Sequence, residues 1–114
     1  MLQGMQAQLS PTRKDDARVM SGIDVFDSRL ESVVRGAVLE RLCIGATWGE
    51  GPVWLREDDS VLWSDIPGNR MLRWSQRDGM SVWRNGVEFT NGHTREANGD
   101  LLHCSHGLRA IVRT

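Results

Sequence analysis

After Gly36 the chain breaks into short apolar runs separated by turn residues, a rhythm of about 8–12 positions that predicts an all-β unit. Strands are expected near residues 38–43, 51–56, 60–65, 70–75, 80–84, 87–92, 100–104 and 108–113. The intervening segments are Glu57-Asp58-Asp59, Pro67-Gly68-Asn69, Gln76 to Gly79, Asn85-Gly86, Ala97-Asn98-Gly99 and Ser105-His106-Gly107. Each carries residues that accept positive φ or pre-set a turn. Several strands are apolar on both faces. Val61 and Trp63 oppose Leu62, Leu72 and Trp74 oppose Met71, and Met80 and Val82 oppose Trp83. Such strands belong in a sheet covered on both sides, as in a propeller blade or a small sandwich, and periodicity alone does not separate the two. Upstream, Asp27 or Ser28 is placed to cap a turn of helix carrying Leu30, Val33 and Val34. Residues 1–22 are polar and without sustained period, so a disordered tail is expected there, with Met20 as an alternative start of translation.

Charge removes several function classes. With 14 Lys+Arg against 15 Asp+Glu, nothing draws the chain to nucleic acid or to an anionic membrane. No apolar run approaches the roughly 20 residues of a membrane span, and no secretory leader is expected, so the default location is cytoplasmic. Cys43 and Cys104 are widely spaced and read first as small buried hydrophobes, with a disulfide or metal pair as the alternative. Gly-x-Ser-x-Gly elbows, Walker loops and paired-Cys zinc motifs are all missing. The five tryptophans, at 48, 54, 63, 74 and 83, offer wide flat surfaces for packing between sheets.

The stretch Trp48-Gly49-Glu50-Gly51-Pro52-Val53-Trp54 puts one carboxylate between small residues at the mouth of an aromatic-rich strand. Gly49 and Gly51 let the backbone crowd a ligand, and Pro52 stiffens the entry to the strand. Taken by itself, a Glu before Gly-Pro is a solvated turn residue. Asn91, in Thr90-Asn91-Gly92, has an amide able to hydrogen-bond a sugar hydroxyl, though Asn-Gly also signals a hairpin turn. His103, Cys104 and His106 invite a zinc reading, but neighbours in a strand point to opposite faces and two ligands do not complete a structural site. His106 remains a substrate-contact candidate, and His93 reads as a turn-flanking polar residue. Asp65 reads as a structural acceptor for the turn Pro67-Gly68-Asn69.

The order of motifs separates propeller from sandwich. Leu39-Glu40-Arg41-Leu42, the Trp48–Trp54 stretch, Leu62-Trp63-Ser64-Asp65-Ile66-Pro67, Arg70-Met71-Leu72-Arg73-Trp74, Thr90-Asn91-Gly92 and His103-Cys104-Ser105-His106-Gly107 follow one another. Together with Val25-Phe26-Asp27-Ser28-Arg29-Leu30 as a lead-in, they resemble the N-terminal part of the gluconolactonase/regucalcin (senescence marker protein) family over residues 23–114. The resemblance implies a partial six-bladed β-propeller, about one and a half four-stranded blades, behind a short helical lead-in. It also implies one divalent cation (calcium, zinc, manganese or magnesium) in a central channel, where it promotes hydrolysis of a sugar lactone. Glu50 stands at the position of that family's Glu-Gly-Pro metal ligand. The other ligands belong to later segments, among them an Asn-Ser-Pro-Asn-Asp stretch, and this sequence does not contain them.

Three readings remain. One is a fragment of a metal-dependent lactonase, inactive as an isolated chain. Another is a non-catalytic β piece that completes a propeller with a complementary segment, or self-associates through open strand edges. The third is an unrelated small β domain that binds a ligand.

Overall fold

The computed structural model describes Val19, Met20 and residues 23–114. Most of the expected N-terminal tail, residues 1–18 together with 21 and 22, lies outside them. The protein is mostly β, with antiparallel sheets and one short helix. It divides into a small unit, described at Val19, Met20 and residues 23–44, and a larger one, described over residues 45–114.

In the small unit, β1 (Val19–Met20) pairs antiparallel with β2 (Leu39–Glu40). Asp27 accepts a hydrogen bond from the Arg29 amide at 2.9 Å and caps a 3-10 turn, Ser28–Leu30, that runs into α1 (Glu31–Val34). The expected cap is therefore present. The helix, however, is too short to make a buried stripe: Leu30 and Val33 are exposed.

The larger unit holds two antiparallel sheets. The first runs in chain order through β3 (Gly49–Leu55), β4 (Ser60–Asp65), β5 (Arg70–Ser75) and β6 (Gly79–Asn85). The second contains β7 (Thr90–Arg95), β8 (Leu101–Ser105) and β9 (Ala110–Arg113). The two-faced apolar pattern has its reason here. Leu62 and Met71 turn toward the second sheet and join Leu55 and Leu101 in the core, with Val53, Trp83 and Val87 packed around them. Leu72 points the other way and is also fully buried. Among the described residues the sheets lie against each other and do not close a ring.

One strand was misplaced by sequence reasoning. The segment expected at 87–92 begins at Thr90, because Gly86, Glu88 and Phe89 all adopt left-handed backbone and cannot extend a strand. Asn85-Gly86 is consequently a crossover between sheets and not a hairpin turn. The crossover is tied down at both ends: Asn69 accepts from the Gly86 amide through its carbonyl and from the Phe89 amide through Oδ1, each at 2.9 Å. The Glu88 carbonyl accepts from the Gly107 amide at 2.8 Å.

The sheets are successive copies of one pattern. In the first, Gly49 pairs with Asp65 and Val53 with Leu62, with a bulge between. In the second, Thr90 pairs with Ser105 and Thr94 with Leu102, with a bulge at the same place. Each then makes a turn, Ile66–Asn69 or His106–Arg109, that ends on a left-handed residue, Asn69 (φ 47) or Arg109 (φ 52). Superposing the patterns aligns Glu50 with Asn91, Gly51 with Gly92, Ser64 with Cys104, Asp65 with Ser105 and Met71 with Ile111.

Asp65 anchors the first copy. Its carboxylate is fully buried and accepts from the Thr47 and Trp48 amides at 2.9 and 3.1 Å and from Arg70 Nε at 2.9 Å. The expected donors in the turn are thus replaced by the segment entering β3 and by Arg70. Gly68 contributes space instead, since a Cβ there would lie 2.9 Å from the carboxylate. Burial by itself raises the Asp65 pKa, but the Trp48 amide, Arg70 and the Thr47 amide outweigh it and hold it below the usual carboxylate range. Asp65→Ala is expected to lower stability by about 3–5 kcal/mol, the usual result of orphaning a buried charge partner. Urea unfolding followed by tryptophan fluorescence checks this, and a loss under about 1 kcal/mol, typical of an exposed pair, contradicts it.

Candidate functional site

Glu50 sits one residue into β3, exposed, opposite Ser64. Gly51 follows at φ 61 and opens the bulge that interrupts pairing until Val53. Bulges of this kind re-aim the neighbouring side chains and recur beside functional sites. A Cβ on Gly51 would fall 2.5 Å from the Asn91 carbonyl oxygen and 2.7 Å from the Gly92 Cα. Only glycine permits that approach, which brings the starts of β3 and β7, with Glu50 and Asn91, together.

Asn91 is exposed, and its carbonyl accepts from Ser64 Oγ at 2.9 Å. It shares with His106 an open hollow of about 400 Å³, also lined by Cys104, Arg109 and Ile111. The structure thereby unites the two proposed substrate contacts, while Glu50 is not among the residues lining this hollow.

Behind this surface runs a chain of short hydrogen bonds that sequence reasoning missed. Ser64 Oγ is 2.8 Å from His93 Nε2, the two Nδ1 atoms of His93 and His103 are 2.7 Å apart, and His103 Nε2 is 2.6 Å from Thr114 Oγ1. One proton assignment satisfies every member. Thr114 donates to His103, His103 to His93, His93 to Ser64, and Ser64 to the Asn91 carbonyl, with both imidazoles neutral. In this assignment a second proton on His93 would set donor against donor at the paired Nδ1 atoms. Burial, and then the facing His103, push His93 down to about 4; burial, and then Arg84, lower His103. His93 is therefore not a turn-flanking residue. Placing the strand three residues early hid its inward alternation with the buried Thr90 and Leu101 neighbourhood.

The cysteine expectation also changes. Cys43 is half-buried, Cys104 is exposed, and both are free thiols. His103 is buried against His93 while Cys104 faces outward, as strand alternation requires, so the His103-Cys104-His106 zinc reading fails. Among the described residues no three His, Cys, Asp or Glu side chains come together as a metal-ligand group. Ser64, opposite Glu50, already spends its hydroxyl on Asn91 and His93. A single exposed carboxylate does not make a divalent-cation site, and the residues present do not fit the group.

Two bulged antiparallel sheets, repeated in sequence and joined at a glycine beside a carboxylate, define a β-sheet repeat protein. The family model described as SMP-30/Gluconolactonase/LRE-like region matches residues 48–114, and the chain belongs to that family. The gluconolactonase of Zymomonas mobilis is 32% identical over 105 residues, covering 80% of this chain and 30% of that protein. Among solved structures, a gluconolactonase from Xanthomonas campestris is similar at 40% identity and a TM-score of 0.62, over 66% of this chain and 25% of the other. The chain thus spans under a third of the relatives it matches.

Two measurements probe the site's construction. His93 has a folded pKa below its ordinary value of 6.5, so near pH 5 the unfolded chain binds more protons. Its contribution is complete above pH 6.5 and is lost as the pH falls toward about 4. Denaturant midpoints over that range should fall on acidification, and His93→Gln should flatten the decline; an equally steep decline in the variant refutes the assignment. Gly51→Ala should separate the sheets locally, seen as faster amide exchange at Asn91 and His93, and unchanged exchange there contradicts the close approach.

Proposed function

We propose that residues 45–114 form one four-stranded blade and part of the next in a sugar-lactone hydrolase of propeller architecture, and that this chain alone does not turn lactone over. The observation that carries the reading is the placement of Glu50 and Asn91 at equivalent positions of two repeats, brought together at Gly51. Family membership supports the substrate class, and the covered share of its relatives makes the whole activity a matter of proposal. On this reading the Glu50 carboxylate accepts from, and the Asn91 amide donates to, groups of a polyhydroxylated ring at the strand mouths. His106, on the rim of the hollow, supplies a further ring-nitrogen contact. Divalent-metal dependence belongs to the same proposal, with Glu50 as one ligand and the others in segments outside this sequence. The reaction class is ester hydrolysis, and a cytoplasmic setting suits it. The balanced charge offers nothing that draws nucleic acid or an anionic membrane surface, and among the described residues no helix is long and apolar enough to cross a bilayer.

Replacing the corresponding segment of the Xanthomonas campestris gluconolactonase with residues 45–114 tests the reading. The hybrid should retain lactone turnover, and Glu50→Ala within it should cut the rate at least about a hundredfold, roughly 3 kcal/mol of transition-state stabilisation. A folded but inactive hybrid, or one indifferent to Glu50→Ala, overturns it. The chain by itself should hydrolyse sugar lactones no faster than background with or without calcium, zinc, manganese or magnesium. Turnover that disappears in Glu50→Ala would show that several copies assemble a working site.

A further inference from the structure

The His93–His103 pair lies where the second sheet meets the first, and its bonding depends on where the protons sit. His103 is 4% exposed and His93 is half-buried, and the rings stand edge-on at 80° with centroids 4.9 Å apart. The charges around them do not favour a cation. On β6, Arg84 acts on His103 with the same sign. On β4, the Asp65 carboxylate is already bonded to Thr47, Trp48 and Arg70. Glu50 on β3 and Glu88 in the crossover are exposed, and the bonds of the two rings go to Ser64, to each other and to Thr114. Arg113 on β9 is paired with Glu96, and Arg95 on β7 with Glu57. A first added proton fits the hydrogen bonds only if His103 carries its own at Nε2 and Thr114 turns from donor to acceptor. That leaves a buried cation without a counter-charge. A second proton puts donor against donor at the paired Nδ1 atoms.

We propose that this pair is an acid-released latch on the Asn91 end of the candidate site. Neutral, it holds the middle of β7 against Ser64; on taking up protons, it lets residues 91–93 come away from the first sheet. The release is local because β7 is tied on both sides by bonds that no imidazole enters. Ahead of the strand, Asn69 holds the Gly86 and Phe89 amides at 2.9 Å each. At its far end Arg95 grips Glu57 through hydrogen bonds of 2.8 and 3.1 Å, and it pairs with the core residue Leu101. Between those ties the bulge takes Asn91 and Gly92 out of register with β8. Ser64 and the close approach to Gly51 are what hold them. Histidine clusters that lose an interface on protonation are a recurrent form of pH sensing. The latch would regulate the site assigned above, but it is read from bonds within the protein alone. Failure of the hybrid enzyme therefore leaves it standing.

Amide hydrogen exchange of the full chain tests it, read residue by residue by NMR between pH 8 and pH 5 and corrected for the intrinsic rate. The lower limit stays above the ordinary carboxylate range, so titrating acids do not enter. His93 sits at about 4 in the closed form and returns to its ordinary 6.5 when released, so the opening constant rises about thirtyfold over that range. Protection at Asn91 and His93 should fall by that factor, while Leu62, Phe89 and Leu101 keep theirs. His93→Gln can still bond Ser64 but takes up no proton, so the pH dependence at Asn91 should vanish in it. The parent gives a check free of mutation: its imidazole nitrogen resonances should titrate in step with the Asn91 amide. An equal loss at Leu62 and Leu101 marks general unfolding and overturns the latch. So does protection at Asn91 that ignores pH, that keeps its pH slope in His93→Gln, or that changes while neither ring titrates.

Discussion

A buried carboxylate governs where the first sheet begins. Asp65 sits at the end of β4 with no exposure, and three donors converge on it from Thr47, Trp48 and Arg70. Arg70 reaches past it to the Gly45 carbonyl at 2.9 Å, so the entering backbone is held from two sides. Removing such a charge from water is unfavourable unless every lone pair finds a donor. That requirement fixes the path of residues 45–48, which in turn fixes the start of β3 and the place of Glu50.

The second constraint is polar as well. The apolar core between the sheets is small, with Leu55, Leu62, Met71 and Leu101 buried, and hydrophobic contact tolerates sliding. The hydrogen-bond chain from Thr114 through His103, His93 and Ser64 to the Asn91 carbonyl does not. A one-residue slip would leave the two imidazoles and the buried Ser64 hydroxyl without their partners, each a loss of about 1–3 kcal/mol. Burial area supplies the attraction between the sheets, and this chain sets their register. The same register holds Asn91 next to Gly51, so the candidate site inherits its geometry from a network that touches no substrate.

Repetition links fold to function. Glu50 and Asn91 occupy the same position in successive copies of one bulged strand pair, and a carboxylate in one copy has become an amide in the next. Identical backbone frames with different side chains are how repeat proteins build varied surfaces from one unit. The residues that dock the copies have diverged too: Ser64 corresponds to Cys104 and Met71 to Ile111.

Much of this was legible in the order of residues. Turn chemistry located β4, β5, β6 and β8 closely, because Asp-Asp, Pro-Gly-Asn and Asn-Gly segments act locally on φ. The alternation around Leu62 and Met71 announced a sheet covered on both faces, and Asp27 announced its cap. Glu50 stood out through its flanking glycines. Other features depended on partners distant in sequence. The left-handed run at Glu88 and Phe89 is held by Asn69 and Gly107, so no local rule could start β7 at Thr90. His93 gained its role from His103 and Ser64, and Asp65 its donors from Thr47 and Trp48. By itself the sequence determined strand rhythm, turn positions and family, because propensity and pattern are short-range. Tertiary structure alone decided which polar groups face one another across the sheets, because hydrogen-bond satisfaction in a buried interface depends on the fold as a whole.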